Sequence, residues 1–293
     1  MTPAEASRAR SRLLALLATL TLDGLTPDTR DVACQIPALS PHLPPGGPDD
    51  WAAEHYRFFG REILPWASAF LTPDVHLGGP VSQAVAQRYA RSGFQPQEGH
   101  EPDHIGIQLM HMAWLCEGGE PETAEAFAAD HLRSWMLPLS CAGHDAGGFF
   151  AEVLQLALEL ISSFEERPVA SPDIDIPDVL DDDRSGLKQI SRWLATPAWA
   201  GVLWTHRTLD EVSRACGVAH GFGTRRDVLE STLFAASDAK KLPELTERMQ
   251  RVLSRWDRRM TGRDGAPWAA RIRGTERLLQ RLASAAQREP TAP

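Results

Sequence analysis

Apolar residues in the first half of the chain recur at the spacing of helix faces. Intervals of three and four residues run through 4–20, 51–62, 81–92, 104–117, 121–136 and 148–165. The alternation of β-branched residues that is typical of strands is scarce, so the pattern predicts an all-α protein. The stretch Phe149–Phe164 is apolar almost all round, and we expect it to form the central buried helix.

The helical spacing continues in the last third of the chain, after an interruption. It runs through 187–194, 197–204, 208–216, 224–236, 241–260 and 267–287. The interruption contains three prolines and a run of aspartates, a composition typical of a linker. The sequence therefore predicts a helical domain over 1–166, an acidic, proline-rich linker over 167–186 and a C-terminal helical module over 187–289.

Charge is divided unevenly along the chain. Residues 1–166 hold 9 arginines and 22 acidic residues, a net charge of −13, whereas residues 167–293 hold 21 basic and 17 acidic residues, a net charge of +4. The acidic part disfavours nucleic acid and favours basic peptides or cations as partners; the alternative is that its charge serves solubility alone. No stretch reaches the roughly 20 apolar residues of a membrane span, and the N-terminal segment predicts an ordinary first helix.

The chain carries none of the common sequence signatures of enzymes. It has no nucleophile elbow, zinc-protease motif, P-loop or dinucleotide-binding motif, and its four cysteines are scattered singly, as is usual for reduced cytosolic proteins. We therefore expect no catalytic residue, no metal and no stably bound cofactor. One alternative stays open, because His104, Gln108 and His111 share a helix face: a metal-dependent enzyme would use the two histidines with His131 or Glu101.

Three clusters are candidates for binding. The motif EPDH at 101–104 precedes an apolar helix, where its acidic residues would cap the helix and its proline would suit the first turn. The aromatic stretch Tyr56–Leu71, interrupted by LPW at 64–66, indicates either core packing or a hydrophobic groove for an apolar peptide helix. The segment 221–226 suits either an anion cradle or a turn in which Thr224 caps a helix.

Several of these segments form an ordered set. In chain order the set comprises YRFF at 56–59 leading to LPWASAFL at 64–71, YARSGF at 89–94, EPDHI at 101–105 running into LM at 109–110 and WL at 114–115, and F-x3-HL-x2-W at 127–135 before FF at 149–150. This set, which covers roughly residues 51–165, resembles the TorD/DmsD/NarJ-type chaperones of redox-enzyme maturation. Residues 167–293 look like an added helical module of longer relatives.

The resemblance implies a TorD-like helical bundle with an additional C-terminal helical module. Such a cytoplasmic chaperone binds the twin-arginine signal peptide and the apo form of a molybdenum-dependent oxidoreductase, and assists insertion of molybdopterin guanine dinucleotide into this client before export. A monomer or dimer is expected. The client-binding residues that it implies are Tyr56, Phe59, Leu64, Pro65, Trp66, Ser68, Glu101, Pro102, Asp103 and His104.

Within this set, the resemblance implies particular roles for the EPDH motif. Asp103 would pair with a client arginine, and His104 would hydrogen-bond the peptide backbone or orient Asp103. The chain departs from many relatives at Gln108, where a second acidic residue often follows the motif, so the local negative charge is smaller here. A rival hypothesis is a regulatory scaffold that binds a protein partner through the basic C-terminal module without any signal peptide.

Overall fold

The computed structural model of this protein describes residues 2–73, 79–164, 174–177 and 186–288. The contacts within the chain divide it into two compact units, Met1–Pro172 and Asp173–Pro293. Over the described ranges the chain is helical, with one isolated bridge and no strand, which confirms the all-α prediction. Most of the predicted linker at 167–186 falls outside the described residues, and the predicted domain boundaries stay a prediction.

The first unit contains nine α-helices among its described residues. They are α1 (Pro3–Leu22), α2 (Pro27–Ala33), α3 (Pro48–His55), α4 (Ala67–Leu71), α5 (Gly79–Ser92), α6 (Ile105–Glu117), α7 (Pro121–Phe127), α8 (Met136–Ala146) and α9 (Phe149–Ser162). Two of the predicted helices continue as π-helix, over Tyr56–Glu62 after α3 and over Ala128–Leu132 after α7. A π-turn contains one residue more than an α-helical turn, so it shifts which of the following residues face the core, and such turns are frequent near functional sites.

The central helix of the first unit is α6, not α9 as the sequence predicts. Ten of the 13 residues of α6 are buried, whereas α9 turns Gln155 and Glu159 to solvent. Helix α1 packs along α6 and is tied to it by hydroxyl groups: Ser7 donates to the Cys116 carbonyl at 2.8 Å and Ser11 to the Ala113 carbonyl at 2.9 Å. Gln108 and His111 interrupt the apolar residues of α6, so the hydrophobicity pattern does not show that the helix is buried.

A glycine permits the close packing of α1 on α6. A Cβ atom added at Gly106 would collide with the side chain of Leu22 and would lie 3.2 Å from the Ala18 carbonyl oxygen. The start of α6 therefore lies directly against the end of α1. Because the EPDH motif directly precedes α6, this contact also fixes the position of the motif relative to α1.

The second unit contains six α-helices among its described residues. They are α10 (Leu187–Ala195), α11 (Pro197–Ala200), α12 (His206–Cys216), α13 (Arg225–Asp238), α14 (Leu242–Arg259) and α15 (Gly262–Arg288). Its core includes the fully buried tryptophans Trp204, Trp256 and Trp268.

The predicted helix over 197–204 is wrong in its second half. It ends after one turn at Gly201, whose φ is +74°, a left-handed conformation that favours glycine. An added Cβ there would lie 2.8 Å from the backbone nitrogen of Ile272. The close approach of α15 therefore requires a glycine at position 201, and the left-handed backbone of this glycine ends the helix.

The segment 221–226 forms a capped turn. Thr224 is the N-cap of α13: its hydroxyl oxygen accepts a hydrogen bond from the Asp227 backbone N–H at 3.3 Å, and the Asp227 carboxylate accepts one from the Thr224 N–H at 2.9 Å. This is the second of the two interpretations that the sequence allowed. In the described part of the chain, no helix is long and apolar enough to cross a membrane.

Candidate functional site

The two segments that the resemblance selects meet in space. Backbone hydrogen bonds join them in an antiparallel bridge centred on Trp66 and His104. The Ile105 N–H donates to the Pro65 carbonyl at 2.8 Å, and the Ala67 N–H donates to the Asp103 carbonyl at 3.1 Å. The bridge places LPW, just before α4, against EPDH, just before α6, so two helices begin side by side at this point.

Asp103 caps a helix, but not the one that the sequence predicts. Its Oδ2 accepts a hydrogen bond at 2.8 Å from the backbone N–H of Ser68, in the first turn of α4. The expectation that an acidic residue of EPDH caps α6, with Pro102 in the first turn, is wrong, because α6 begins only at Ile105. Asp103 is fully buried, and its Oδ1 meets no hydrogen-bond donor within the described part of the chain.

His104 is the N-cap of α6. Its Nδ1 accepts a hydrogen bond from the Gly106 N–H at 3.1 Å, so in the neutral ring the proton is on Nε2. Burial, followed by the nearby His100, lowers the pKa of His104 to about 3, so the ring is neutral at physiological pH. Its Nε2–H is therefore a fixed hydrogen-bond donor.

Two further side chains hold the EPDH turn in place. Gln108 donates through Nε2 to the Asp103 carbonyl at 2.8 Å, and the Tyr89 hydroxyl donates to the Pro102 carbonyl at 2.8 Å. Burial and the nearby Asp103 raise the pKa of Tyr89 well above its usual range, so it remains a hydroxyl donor. Sequence reasoning noted both residues but assigned neither role, because the bonded carbonyl groups are identical in every residue and leave no sequence signal.

The predicted client-binding residues do not share one surface. Leu64, Trp66, Glu101 and Pro102 are half-buried around the bridge, and Tyr56 is 73% exposed on the π-helix. The remaining five predicted residues are buried: Phe59, Pro65, Ser68, Asp103 and His104.

The interpretation of Tyr56–Leu71 as one continuous groove is therefore wrong. Phe59 lies in the core, with its ring centroid 5.5 Å from that of Phe150 and 4.8 Å from that of Phe58. Neighbouring residues of a helix point in different directions, so an aromatic run cannot line one face along its whole length.

The accessible part of the bridge has an aromatic character. The rings of Trp66 and His104 meet edge to face with centroids 5.9 Å apart, and the His100 ring lies 5.7 Å from that of His104. Together with Leu64 and Glu101, these residues form what we call the bridge site: an apolar, ring-lined surface beside one carboxylate.

The alternative of a metal site on α6 finds no support in the ring geometry. His104 uses Nδ1 for Gly106, while His111 pairs through Nε2 with the Ser92 hydroxyl at 2.9 Å. Nowhere in the described ranges do three or more His, Cys, Asp or Glu residues come together in a way that could hold a metal ion.

Comparisons with known proteins point to one class. Residues 26–140 match the family described as nitrate reductase delta subunit. The chain is 34% identical over 126 residues to the Tat proofreading chaperone DmsD of Salmonella typhi, an alignment that covers 39% of this chain and 60% of that protein. It is 32% identical over 85 residues to the probable Tat proofreading chaperone DmsD of Haemophilus influenzae, covering 27% of this chain and 41% of that protein.

These findings confirm the resemblance. The matched region, which contains the LPW and EPDH segments of the bridge site, is similar to the redox-enzyme maturation chaperone family. The all-α fold is consistent with a TorD-like helical bundle that has extra C-terminal helices. The chain spans about 60% of the length of the Salmonella relative, and α9 and the whole second unit lie beyond the family match, which ends at residue 140.

Proposed function

We propose that this protein is a cytoplasmic, non-enzymatic chaperone for a molybdenum-dependent oxidoreductase. It binds the twin-arginine signal peptide and the apo form of this client and assists insertion of molybdopterin guanine dinucleotide before export. The observation that carries the proposal is the bridge between LPW and EPDH, which brings two motif segments of the matched region together at one surface.

The bridge site offers three kinds of contact to such a peptide. Trp66 and Leu64 are half-buried and take the apolar segment that follows the arginines, at roughly 25 cal/mol per Å² of apolar surface buried. The Nε2–H of His104 donates to a peptide carbonyl. The half-buried carboxylate of Glu101 accepts hydrogen bonds from a client arginine, and its own backbone carbonyl accepts from the His104 N–H at 3.0 Å, which keeps the two residues adjacent.

Glu101 replaces Asp103 as the proposed partner of a client arginine. Asp103 is fully buried, and its Oδ2 already binds the backbone of Ser68. A guanidinium group would reach it only after the bridge had opened. In this proposal Asp103 is a positioning residue: it holds the start of α4, and through it Trp66, in place.

A peptide comparison tests the proposal. A synthetic peptide with two consecutive arginines followed by an apolar segment should bind the full chain more tightly than the same peptide with two lysines. Arginine offers a planar fork of donors that a carboxylate accepts in two hydrogen bonds, whereas lysine is a point charge. Calorimetry of both peptides at equal ionic strength measures the difference. Equal affinity would contradict recognition of a twin-arginine signal.

Two variants locate the site of recognition. Glu101→Gln keeps the shape of the side chain but removes its charge, and should reduce the preference for arginine over lysine. His104→Gln keeps a hydrogen-bonding group but removes the ring, and should weaken the binding of both peptides. Wild-type affinities in the Glu101→Gln, His104→Gln double variant, with unchanged circular dichroism, would remove the bridge site from client binding.

Capture of the client separates the chaperone from a regulatory scaffold. The full chain, used as bait in lysate of its own host, should retain an oxidoreductase subunit that mass spectrometry identifies. The Trp66→Ala variant, used as bait in the same way, should retain less of this subunit. Retention of other proteins only, unaffected by Trp66→Ala, would favour the scaffold hypothesis and contradict the proposed function.

A further inference from the structure

The second unit carries a concave surface to which the proposed function assigns no role. It is an open groove of about 710 Å³ that runs along one face of α13 and includes the turn before this helix, and we call it the α13 groove. It lies beyond the family match, which ends at residue 140. Four of the residues that line it follow one another at intervals of four positions in the sequence: Phe222, Arg226, Glu230 and Phe234.

The two ends of this series are exposed aromatic rings. Phe222 is 94% exposed and Phe234 is 45% exposed. Single exposed apolar residues are common on protein surfaces, whereas two phenylalanine rings at one groove form an apolar patch. Charged residues lie between the two rings, and an apolar patch with polar surroundings is typical of a surface that binds another molecule.

Hydrogen bonds anchor the turn that carries Phe222 on both sides. The Gly221 N–H donates to the Ser231 hydroxyl at 2.9 Å, and a Cβ added at Gly221 would lie only 2.3 Å from that oxygen, so the turn packs directly on α13. On the other side of Phe222, Thr224 caps the same helix. The exposed ring is therefore held in position before any partner arrives, which lowers the entropic cost of binding.

The charges that line the α13 groove balance each other. Lys188 and Arg226 are basic, and Asp227 and Glu230 are acidic. Arg226 and Glu230 form no ion pair within the part of the chain that the structure describes. Arginine four residues before glutamate is also the less favourable order for a pair within one helix. A groove without net charge selects neither an anion nor a cation, but it fits a partner that presents both signs.

The order of the four residues fits a second copy of the same groove. In a two-fold interface the same surface of both subunits meets, and residues at equal distances on either side of the axis face each other when two helices pack antiparallel. Phe222 and Phe234 each lie six positions from Val228. Arg226 and Glu230 each lie two positions from it. An axis at this level pairs an aromatic ring with an aromatic ring and an arginine with a glutamate, each of them twice.

We propose that the α13 groove is a two-fold interface between two copies of this chain. Phe222 of each copy enters the groove of the other beside Phe234, and two ion pairs between Arg226 and Glu230 fix the antiparallel register. Four rings that bury about 200 Å² each give about 800 Å², which is less than the roughly 1,200 Å² of a stable interface. We therefore expect a weak and reversible dimer.

Sedimentation equilibrium of the full chain tests the interface. The average mass should rise from that of one chain towards that of two as the concentration increases from about 1 μM to about 500 μM, the range of a weak complex. Phe222→Ser removes an exposed ring outside the core and should weaken the association at least about ten-fold. The mass of one chain at every concentration, or an undiminished association of Phe222→Ser, would overturn the proposal.

Two charge reversals test the antiparallel pairing. Arg226→Glu and Glu230→Arg each bring like charges together at both contacts, so each variant alone should lose the association. An equimolar mixture of the two variants restores opposite charges at both contacts and should associate about as tightly as the wild type. Arg255→Glu, at an exposed arginine of α14, makes the same charge change outside the groove and should dimerise normally.

The mixture decides the test without relying on Phe222. An acidic residue in the first turn of α13 suits the helix dipole, so Arg226→Glu should keep its fold, which circular dichroism verifies. If both reversals associate like the wild type, or if the folded variants stay at the mass of one chain when they are mixed, the proposed pairing is refuted.

Discussion

The carboxylate of Asp103 accepts a hydrogen bond from the backbone of Ser68 at 2.8 Å, across 35 residues of sequence. It therefore caps α4, a helix remote from it in sequence, while its neighbour His104 caps α6. One dipeptide thus organises the beginnings of two helices. The half-buried Trp66 lies between them, next to both caps.

This double cap predicts distinct effects for two substitutions of Asp103. Asp103→Ala leaves the Ser68 N–H without its acceptor and should lower the free energy of unfolding by about 1–3 kcal/mol. Asp103→Asn keeps an acceptor oxygen and should cost less, since Asn caps about as well as Asp. Urea denaturation gives the free energies, and hydrogen exchange of the Ser68 amide should accelerate only in the alanine variant. Equal losses in the two variants would argue against the cap.

Trp66 should affect binding more than folding. Trp66→Ala removes a half-buried ring of the bridge site and should weaken client-peptide binding by about 2 kcal/mol, as for an aromatic anchor of an interface. Phe58→Ala, at a fully buried ring, should instead lower stability by about 3–5 kcal/mol. Calorimetry and thermal melting separate the two effects. A collapse of the melting temperature in Trp66→Ala would assign this residue to the core.

Client binding should depend on salt. The acidic first half of the chain, with a net charge of −13 over residues 1–166, attracts a basic peptide through charges that salt screens within about 10 Å at 0.1 M and 3 Å at 1 M. The affinity for a twin-arginine peptide should fall as sodium chloride is raised, and a peptide with glutamines in place of the arginines should respond less. An affinity independent of salt would indicate a purely apolar site.

Stability should fall in mild acid. Burial lowers the pKa of His104 to about 3 and the pKa values of His111 and His131 to about 4, from an ordinary 6.5. Between these limits the unfolded chain binds protons that the folded chain does not. The contribution of each histidine is therefore complete above about pH 6.5 and declines by at most about 1.4 kcal/mol per pH unit, down to about pH 3 for His104 and about pH 4 for His111 and His131.

Urea denaturation at a series of pH values measures this slope. His104→Gln does not titrate and should make the decline shallower, whereas His42→Gln, at an exposed residue, should leave it unchanged. A stability that is flat between about pH 6.5 and pH 5 would show that the buried rings accept protons without cost.

The contact between α1 and α6 should not tolerate a methyl group. Gly106→Ala places a Cβ against the Leu22 side chain, and overpacking of this kind costs about 1–3 kcal/mol. Gly99→Ala offers a contrast: an added Cβ there meets no atom within 4 Å, and its cost comes only from a φ of +87°. Relief of the Gly106→Ala defect by a second substitution, Leu22→Ala, would identify the clash as its cause.

Helix positions in the second unit follow closely from sequence. The apolar spacing predicts helices over 187–194 and 241–260, and the structure has them at Leu187–Ala195 and Leu242–Arg259. Each of these helices buries one face, so its 3.6-residue period is written in adjacent residues. The ordered motifs likewise pointed to the family whose model matches residues 26–140, because their residues and spacings can be read directly from the sequence.

Tertiary structure decided what the motifs do. The sequence determined that EPDH precedes a helix, but which helix Asp103 caps depends on a backbone N–H that lies 35 residues away. It determined the aromatic run at 56–59, but a π-turn and the packing of Phe150 decide that Phe59 is buried while Tyr56 is exposed. Helical periodicity is a local property of the chain. A hydrogen-bond partner or a buried face depends instead on which distant segment packs against the residue. Backbone N–H and C=O groups are alike in every residue, so the sequence does not reveal how they pair.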